Sequence, residues 1–289
     1  MTTRLERIPV NGVSVIEADA RWQPLDLGEL WRYRELLFFF TWRDIKIRYK
    51  QTELGAIWAI LQPLTTTGIF VLLFGLLMQG DEPSVPGVPY ALSTFCAMLP
   101  WQFFSEGLTR SGNSLIQDQG LITKVYFPRL LLPISAVATG LVDFGVAFVA
   151  LLLMMAWYGL WPSWVVLALP GFVALAAMAS LAVGVWLSAL SAIYRDFRHV
   201  QPFLIRVGMY VSPVIYASSS LKHALPEWAL ALYSLNPMVG VIEGFRWALL
   251  GKAPPPGWAL VPSVVITAVL FVSGLFYFRR MERTVVDVI

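Results

Sequence analysis

Polar and apolar positions alternate along this chain in long blocks. No Asp, Glu, Lys or Arg occurs between Glu53 and Asp81, between Glu82 and Glu106, between Asp143 and Arg195, or between Lys252 and Arg279. As helix, about 20 apolar residues cross the roughly 30 Å of hydrocarbon in a bilayer, and each gap is long enough. The third gap is of double length, and Gly159, Pro162 and Ser163 split it into two runs. A shorter run near 203–217 is a sixth candidate, short, sheltered or extended at one end. The pattern predicts an all-α integral membrane protein with six transmembrane helices at about 54–78, 88–105, 132–157, 164–190, 203–217 and 258–278.

Two further segments have their own character. Asp26 to Lys50 reads as an amphipathic helix, with Leu27, Leu30, Trp31, Leu37, Phe38, Trp42, Ile45 and Tyr49 near one side and an imperfect stripe around Arg34. This gives a tail 1–25, an interface helix 26–53 and a membrane domain 54–289. The charge-free run from Trp228 to Ile242 is interrupted at Asn236-Pro237, where a continuous helix needs an amide donor. It is expected to be an external re-entrant helical hairpin over 228–247, lining a pathway that shelters its free backbone groups.

Composition agrees with the pattern: 57% of the 289 residues are hydrophobic and 13% charged, with a mean hydropathy of +0.67, outside the range of soluble globular domains. Basic residues concentrate in alternate connections between the spans. Nine precede the first span, from Arg4 to Lys50, and others follow in Arg110, Lys124, Arg129, Arg195, Arg198, Arg279, Arg280 and Arg283, while the 79–89 loop has only Asp81 and Glu82. Both chain ends are therefore expected in the cytoplasm, with no cleavable signal before the first span. Arg43, Lys46, Arg48 and Lys50 suit the anionic inner leaflet, either as plain anchors or as guides for a phosphate-bearing lipid head group.

Catalytic signals are sparse. His199 and His223 have no metal-binding partner at i+4, and the single Cys96 fits an apolar helix position better than a thiolate site. Gly251-Lys252 continues with Ala253, and Arg246 stands where a Walker loop needs glycine, so the chain is expected to bind no cofactor and to take its energy from elsewhere. No nucleic-acid partner is expected. Asp143 is the one acid deep in a span, roughly 16 Å from its start, and reads either as a functional charge or as half of an ion pair with Arg206 as candidate mate.

Several runs together resemble the permease subunits of ABC-type polysaccharide exporters, which handle O-antigen, capsule and teichoic acid polymers. They are Arg43-Asp44-Ile45-Lys46-Ile47-Arg48-Tyr49-Lys50-Gln51-Thr52 with Leu54-Gly55, Trp58 and Gln62-Pro63; Leu121-Ile122-Thr123-Lys124 with Phe127-Pro128-Arg129 and Leu132-Pro133; Tyr194-Arg195-Asp196; Ser212-Pro213-Val214-Ile215-Tyr216; and Leu235-Asn236-Pro237 with Glu243 and Arg246. The resemblance covers almost everything after Leu30. It implies six spans, a permease homodimer, and two copies of a separate subunit that binds Mg-ATP. By the same resemblance Gln117, Asp118, Leu121 and Lys124 form a coupling helix against that subunit, with Arg195 and Asp196 in a second contact.

A lipid-linked polysaccharide crossing the bacterial inner membrane is then the expected substrate. Its route would lie between spans one and five, with Phe70, Phe74, Phe203, Tyr210 and Tyr216 as candidate lining rings that offer flat faces to sugars. Trp228, Asn236, Pro237, Glu243, Arg246 and Trp247 would form an external gate. Alternatives are an exporter of capsule, teichoic acid or a drug; a proton-coupled secondary carrier using Asp143; and, ranked last, a membrane enzyme, for which no paired carboxylates stand at suggestive spacing.

Overall fold

The computed structural model describes residues 27–50, 55–77, 85–216, 218, 221, 226–257 and 260–288, with the backbone alone at 55–56, 74–77 and 283–288. All its regular elements are helical. In order they are α1 (Leu27–Arg32), α2 (Arg34–Lys50), α3 (Gly55–Leu77), α4 (Tyr90–Gln117), the short α5 (Gln119–Ile122), α6 (Leu131–Trp157), a 3-10 turn (Trp164–Ala168) leading into α7 (Leu169–Ile193), α8 (Phe197–Val211), α9 (Glu227–Ser234), α10 (Pro237–Leu250) and α11 (Leu260–Val288). Three helical stretches are long and apolar enough to cross a membrane by length and composition: Leu131–Trp157, Trp164–Ile193 and Leu260–Glu282.

The centre of the bundle is α4, packed against α7 and α6, with α11 on the far side of α7. Small residues let α4 and α7 approach closely, the usual means of helix association where lipid supplies no hydrophobic drive. Gly107 lies against Ser180, Gly184 against Ser111, and the Ser180 hydroxyl donates to the Phe104 carbonyl across the interface. The helix that covers the expected second span does not stop near 105 but runs on to Gln117. The reason lies in its polar residues: Gln102, Glu106 and Arg110 recur every four positions and pair along one face, so the helix continues through them.

α3 differs from α4 in burying only a narrow stripe, Ala59, Pro63, Thr67 and Phe70, while Ile57, Trp58, Leu61, Leu64, Ile69 and Leu72 stay exposed. α8 behaves alike, burying Gln201 and exposing Phe203, Leu204, Val207, Tyr210 and Val211. The amphipathic segment is also less simple than its sequence pattern. Leu30, Leu37 and Phe40 pack inward onto the bundle, whereas Trp31, Phe38, Phe39 and Trp42 point away from it. The single expected stripe is thus two, one for protein and one for its surroundings.

α9 and α10 are separate helices that meet at the expected break. Asn236 caps α10 by accepting from the Met238 amide, Pro237 opens the first turn, and Gly251, at φ 66°, ends it. α10 is buried nearly all round against α4, α7 and α11. Its Gly244 rests on the ring of Phe172, where a Cβ would collide. Substituting Gly244→Ala should therefore cost about 1–3 kcal/mol by overpacking, read as a lower unfolding temperature in detergent, whereas Gly145→Ala, facing open space on α6, should not lower it.

Candidate functional site

Where α2 and α4 pack on α6, four charged groups meet. Asp143, on α6 and only 7% exposed, accepts from Arg48 of α2 and from Arg110 of α4, the latter at 2.9 Å. Its second oxygen takes the Tyr49 hydroxyl. Glu106 completes the set, paired with Arg110 and 3.5 Å from Arg48, and it accepts from the Gln102 amide at 3.1 Å. Two arginines and two carboxylates sum to zero, so the cluster adds no net charge to an apolar bundle. Burial, then the bond to Asp143, pushes the Tyr49 hydroxyl up to about 12, which keeps it a donor at neutral pH.

The ion-pair reading of Asp143 is realised with other mates. Arg206, the expected one, lies on the exposed side of α8 and takes no part. Arg48 reaches Asp143 because α2 lies along α6, a proximity that no sequence spacing reveals. The Glu106/Arg110 pair was not expected from the sequence, and its i,i+4 spacing of opposite charges is the signal that could have shown it. Arg43 likewise turns inward, bonding Asp118 at 2.9 Å and Asp44 at 2.8 Å and covering the Phe40 ring. Of the four basic residues expected at lipid head groups, only Lys46 and Lys50 are exposed, with Lys46 over the ring of Trp42. Arg43 and Arg48 hold the interface helix to the bundle.

Next to this cluster lies the short α5. Gln117 and Lys124 are exposed, as are Gln119, Gly120, Thr123, Val125 and Tyr126, while Leu121 is half-buried. Ile122 and Phe127 point inward to a second core with Phe40, Leu115, Leu275 and Phe278. Asp118 belongs with that inner side through Arg43, so it anchors the loop. A polar concavity of about 240 Å³ opens between Thr123 and Arg129. Arg129 donates to the Glu282 carbonyl, and Arg279 bridges Glu29 at 3.7 Å and Glu282 at 3.1 Å, so α1, the loop and the end of α11 form one body. Arg195 and Asp196 are exposed beyond α7.

The opposite end holds a second polar assembly. Residues 212–216 leave the helical path inside the bundle, and their carbonyls need donors. Arg246, 1% exposed on α10, gives Nη1 to the Tyr216 carbonyl and Nη2 to the Val214 carbonyl, both at 3.0 Å, and the Tyr90 hydroxyl donates to Ile215 at 3.1 Å. Asn236 donates to the Ser212 hydroxyl at 2.9 Å, and Glu243 lies 3.7 Å from Arg246 and accepts from the Ser218 amide. Trp247 packs edge-on against Phe172, while Trp228 is exposed.

The candidate lining rings divide into two groups. Phe203 and Tyr210 are 65% and 57% exposed on one face of α8. Phe70 is buried in the core, and Tyr216 is half-buried with its hydroxyl donating to the Val211 carbonyl at 3.1 Å. The side chain of Phe74 lies outside the described residues, as do the tail 1–25, the acids Asp81 and Glu82, His223 and Trp258.

Comparison with known proteins gives consistent matches. Residues 35–250 match the family described as ABC-2 type transporter. The chain is similar to the O-antigen export system permease protein RfbA of Myxococcus xanthus, 31% identical over 88% of this chain and 96% of that protein. It is 26% identical to the protein of the same name from Klebsiella pneumoniae, over 88% of this chain and 95% of that one. The polysialic acid transport protein KpsM of Escherichia coli is 25% identical over 83% of this chain and 91% of its own length.

Asp143→Asn would leave Arg48 and Arg110 facing one carboxylate instead of two. Loss of one partner from a buried pair costs about 3–5 kcal/mol, reduced here to about 2 kcal/mol because both arginines are roughly a quarter exposed. The expected outcomes are a lower unfolding temperature and faster proteolysis after α2, with a smaller effect for Lys50→Gln.

Proposed function

The chain belongs to the ABC-2 type transporter family, and from that membership we propose that it is the membrane-spanning subunit of an ATP-driven exporter carrying a lipid-linked polysaccharide of O-antigen type out across the plasma membrane. The observation that carries this reading is similarity along more than four fifths of the chain to proteins named for O-antigen export, polysialic acid transport and capsule polysaccharide export. Energy then comes from a separate subunit, present in two copies, that binds and hydrolyses Mg-ATP.

In this reading α3, α4, α6, α7, α8 and α11 are the six spans, and both chain ends lie in the cytoplasm, an orientation supported by the basic residues gathered at one end. α9 and α10 form the external re-entrant hairpin over 228–247. Burial of α10 nearly all round supports this, because broken helices at membrane depth need such cover. The chain works as a homodimer, for which the largely uncovered, mostly apolar face of α3 is the support. Between α3 and α8 runs the sugar route, with Phe203 and Tyr210 offering flat faces and little charge selectivity.

The stroke begins when ATP closes the partner dimer. Its surface presses on Gln117, Leu121 and Lys124, with Arg195 and Asp196 as a second contact, and the Arg43–Asp118 pair passes the push to the interface helix. From there Arg48 hands it to α4 and α6 through Asp143 and Glu106. Asp143 with both oxygens engaged suits such a joint better than a proton shuttle, which needs a carboxylate free to release its partner. The outer gate comprises Asn236, Pro237, Glu243 and Arg246, with Trp228 and Trp247 at its flanks, and it seals the route at rest.

Reconstituted with its ATP-binding partner, the chain should export polymer on addition of ATP and continue when an uncoupler collapses the proton gradient. Export that stops with the gradient while ATP remains, or uphill transport by the purified chain alone, would overturn the reading. Reporter fusions to the carboxyl end should be active only as cytoplasmic enzymes, and activity on the outer side would overturn the orientation.

A further inference from the structure

The exposed face of α8 carries a charge, Arg206, that forms no ion pair with an acid among the described residues. His199, Phe203, Arg206 and Tyr210 recur at three- and four-residue spacing and are all exposed, so they form one stripe. Counted from Phe197, Arg206 lies roughly 13 Å along the helix axis, well inside a span. Among the described residues the acids inside the bundle are committed elsewhere, Asp143 and Glu106 to Arg48 and Arg110, Glu243 to Arg246, and Asp118 to Arg43, while the exposed Asp196 that opens α8 lies roughly 15 Å back along the helix axis. Arg206 joins none of these pairs.

A guanidinium held on a span faces lipid only at high cost, so such residues turn to a water-filled cavity or to an anion. We propose that this stripe of α8 lines the aqueous export route and that Arg206 is an anion-binding step within it, taking a phosphate or carboxylate group of the passing substrate. The inference rests on the export reading above and adds a ligand chemistry to it. Arginine suits the task because its planar fork meets either anion with two parallel hydrogen bonds. Phe203 and Tyr210, three residues before and four after, offer ring faces to neutral sugar on either side of the charge. One cation in a wide wet route attracts without trapping, as stepwise passage requires.

The test uses the full complex in membrane vesicles with Phe203→Cys, whose thiol reports the potential near Arg206. Cys96 is fully buried, and the unsubstituted complex supplies the background. Rates are measured for a sulfonatoethyl and a trimethylammonium-ethyl methanethiosulfonate, one anionic and one cationic. The anionic reagent should be favoured about tenfold with Arg206 present, the preference should persist with Arg206→Lys, and it should fall to near unity with Arg206→Gln.

Inorganic pyrophosphate and glucuronate, added separately, identify the source. Slowing by pyrophosphate alone assigns the step to phosphate groups, slowing by glucuronate alone to acidic sugars, and slowing by both to either group. If neither reagent reaches position 203, the face is in lipid or packed on the second copy and the proposal falls. It falls equally if Arg206→Gln leaves the ratio unchanged, if the ratio is near unity because a carboxylate of the second copy neutralises the arginine, or if neither ligand slows labelling. ATP-dependent export is assayed separately in the same vesicles, so a failure there counts against the export reading while the labelling result stands by itself.

Discussion

Charge inside an apolar bundle has to be matched locally, and the contact between Asp143 and the guanidinium groups of Arg48 and Arg110 is where this structure meets that demand. The consequences spread outward from it. Because Arg48 belongs to α2, matching Asp143 fixes where the interface helix lies. Because Arg110 and Glu106 belong to α4, the same contact lets that helix run on to Gln117 without breaking at its polar residues. The start of α5 therefore has a defined position, and Arg43 secures it through Asp118. Two separate sets of ion pairs on α2 thus tie the bundle interior and the exposed loop to the same helix, along which the proposed push would travel.

The other end obeys the same rule with backbone carbonyls in place of side-chain charge. Where 212–216 abandon the helix, Arg246 and Tyr90 supply donors from α10 and α4, and Asn236 holds Ser212. Runs far apart in the sequence turn out to be halves of one assembly: the irregular segment presents acceptors and the buried helix presents donors. This also explains why α10 carries a fully buried arginine. The guanidinium holds two carbonyls at once, which no lysine or glutamine could do with the same planar geometry.

Between these two fixed ends, α3 and α8 differ from the rest in leaving broad faces uncovered. On α3 that face is mostly apolar, with Gln62 and Thr65 as its exposed polar residues. On α8 it mixes aromatic rings with Arg206, so the exposed faces of the two helices differ in chemistry. In the proposed route a mostly apolar wall would stand beside a wall of rings and one cation, a lining along which a polymer slides without sticking.

How much was legible beforehand depends on the range of the interaction involved. Helix positions, the doubled third run, the break at Asn236-Pro237 and the family resemblance all follow from local pattern, because hydrophobic runs, proline and caps act within a few residues of themselves. Helix lengths were less legible: α4 outruns its apolar stretch because its polar residues find partners along one face. The mates of Asp143, the inward turn of Arg43 and Arg48, the division of the α2 aromatics into two faces and the meeting of Arg246 with 214–216 were hidden. Each joins residues tens of positions apart or more, and only the packing of α2 on α6 and of α10 beside α4 brings them within bonding distance. Sequence decided which segments are helices and which charges need partners; the tertiary structure decided which partners they have, because pairing between charges depends on distance in space and not on separation along the chain.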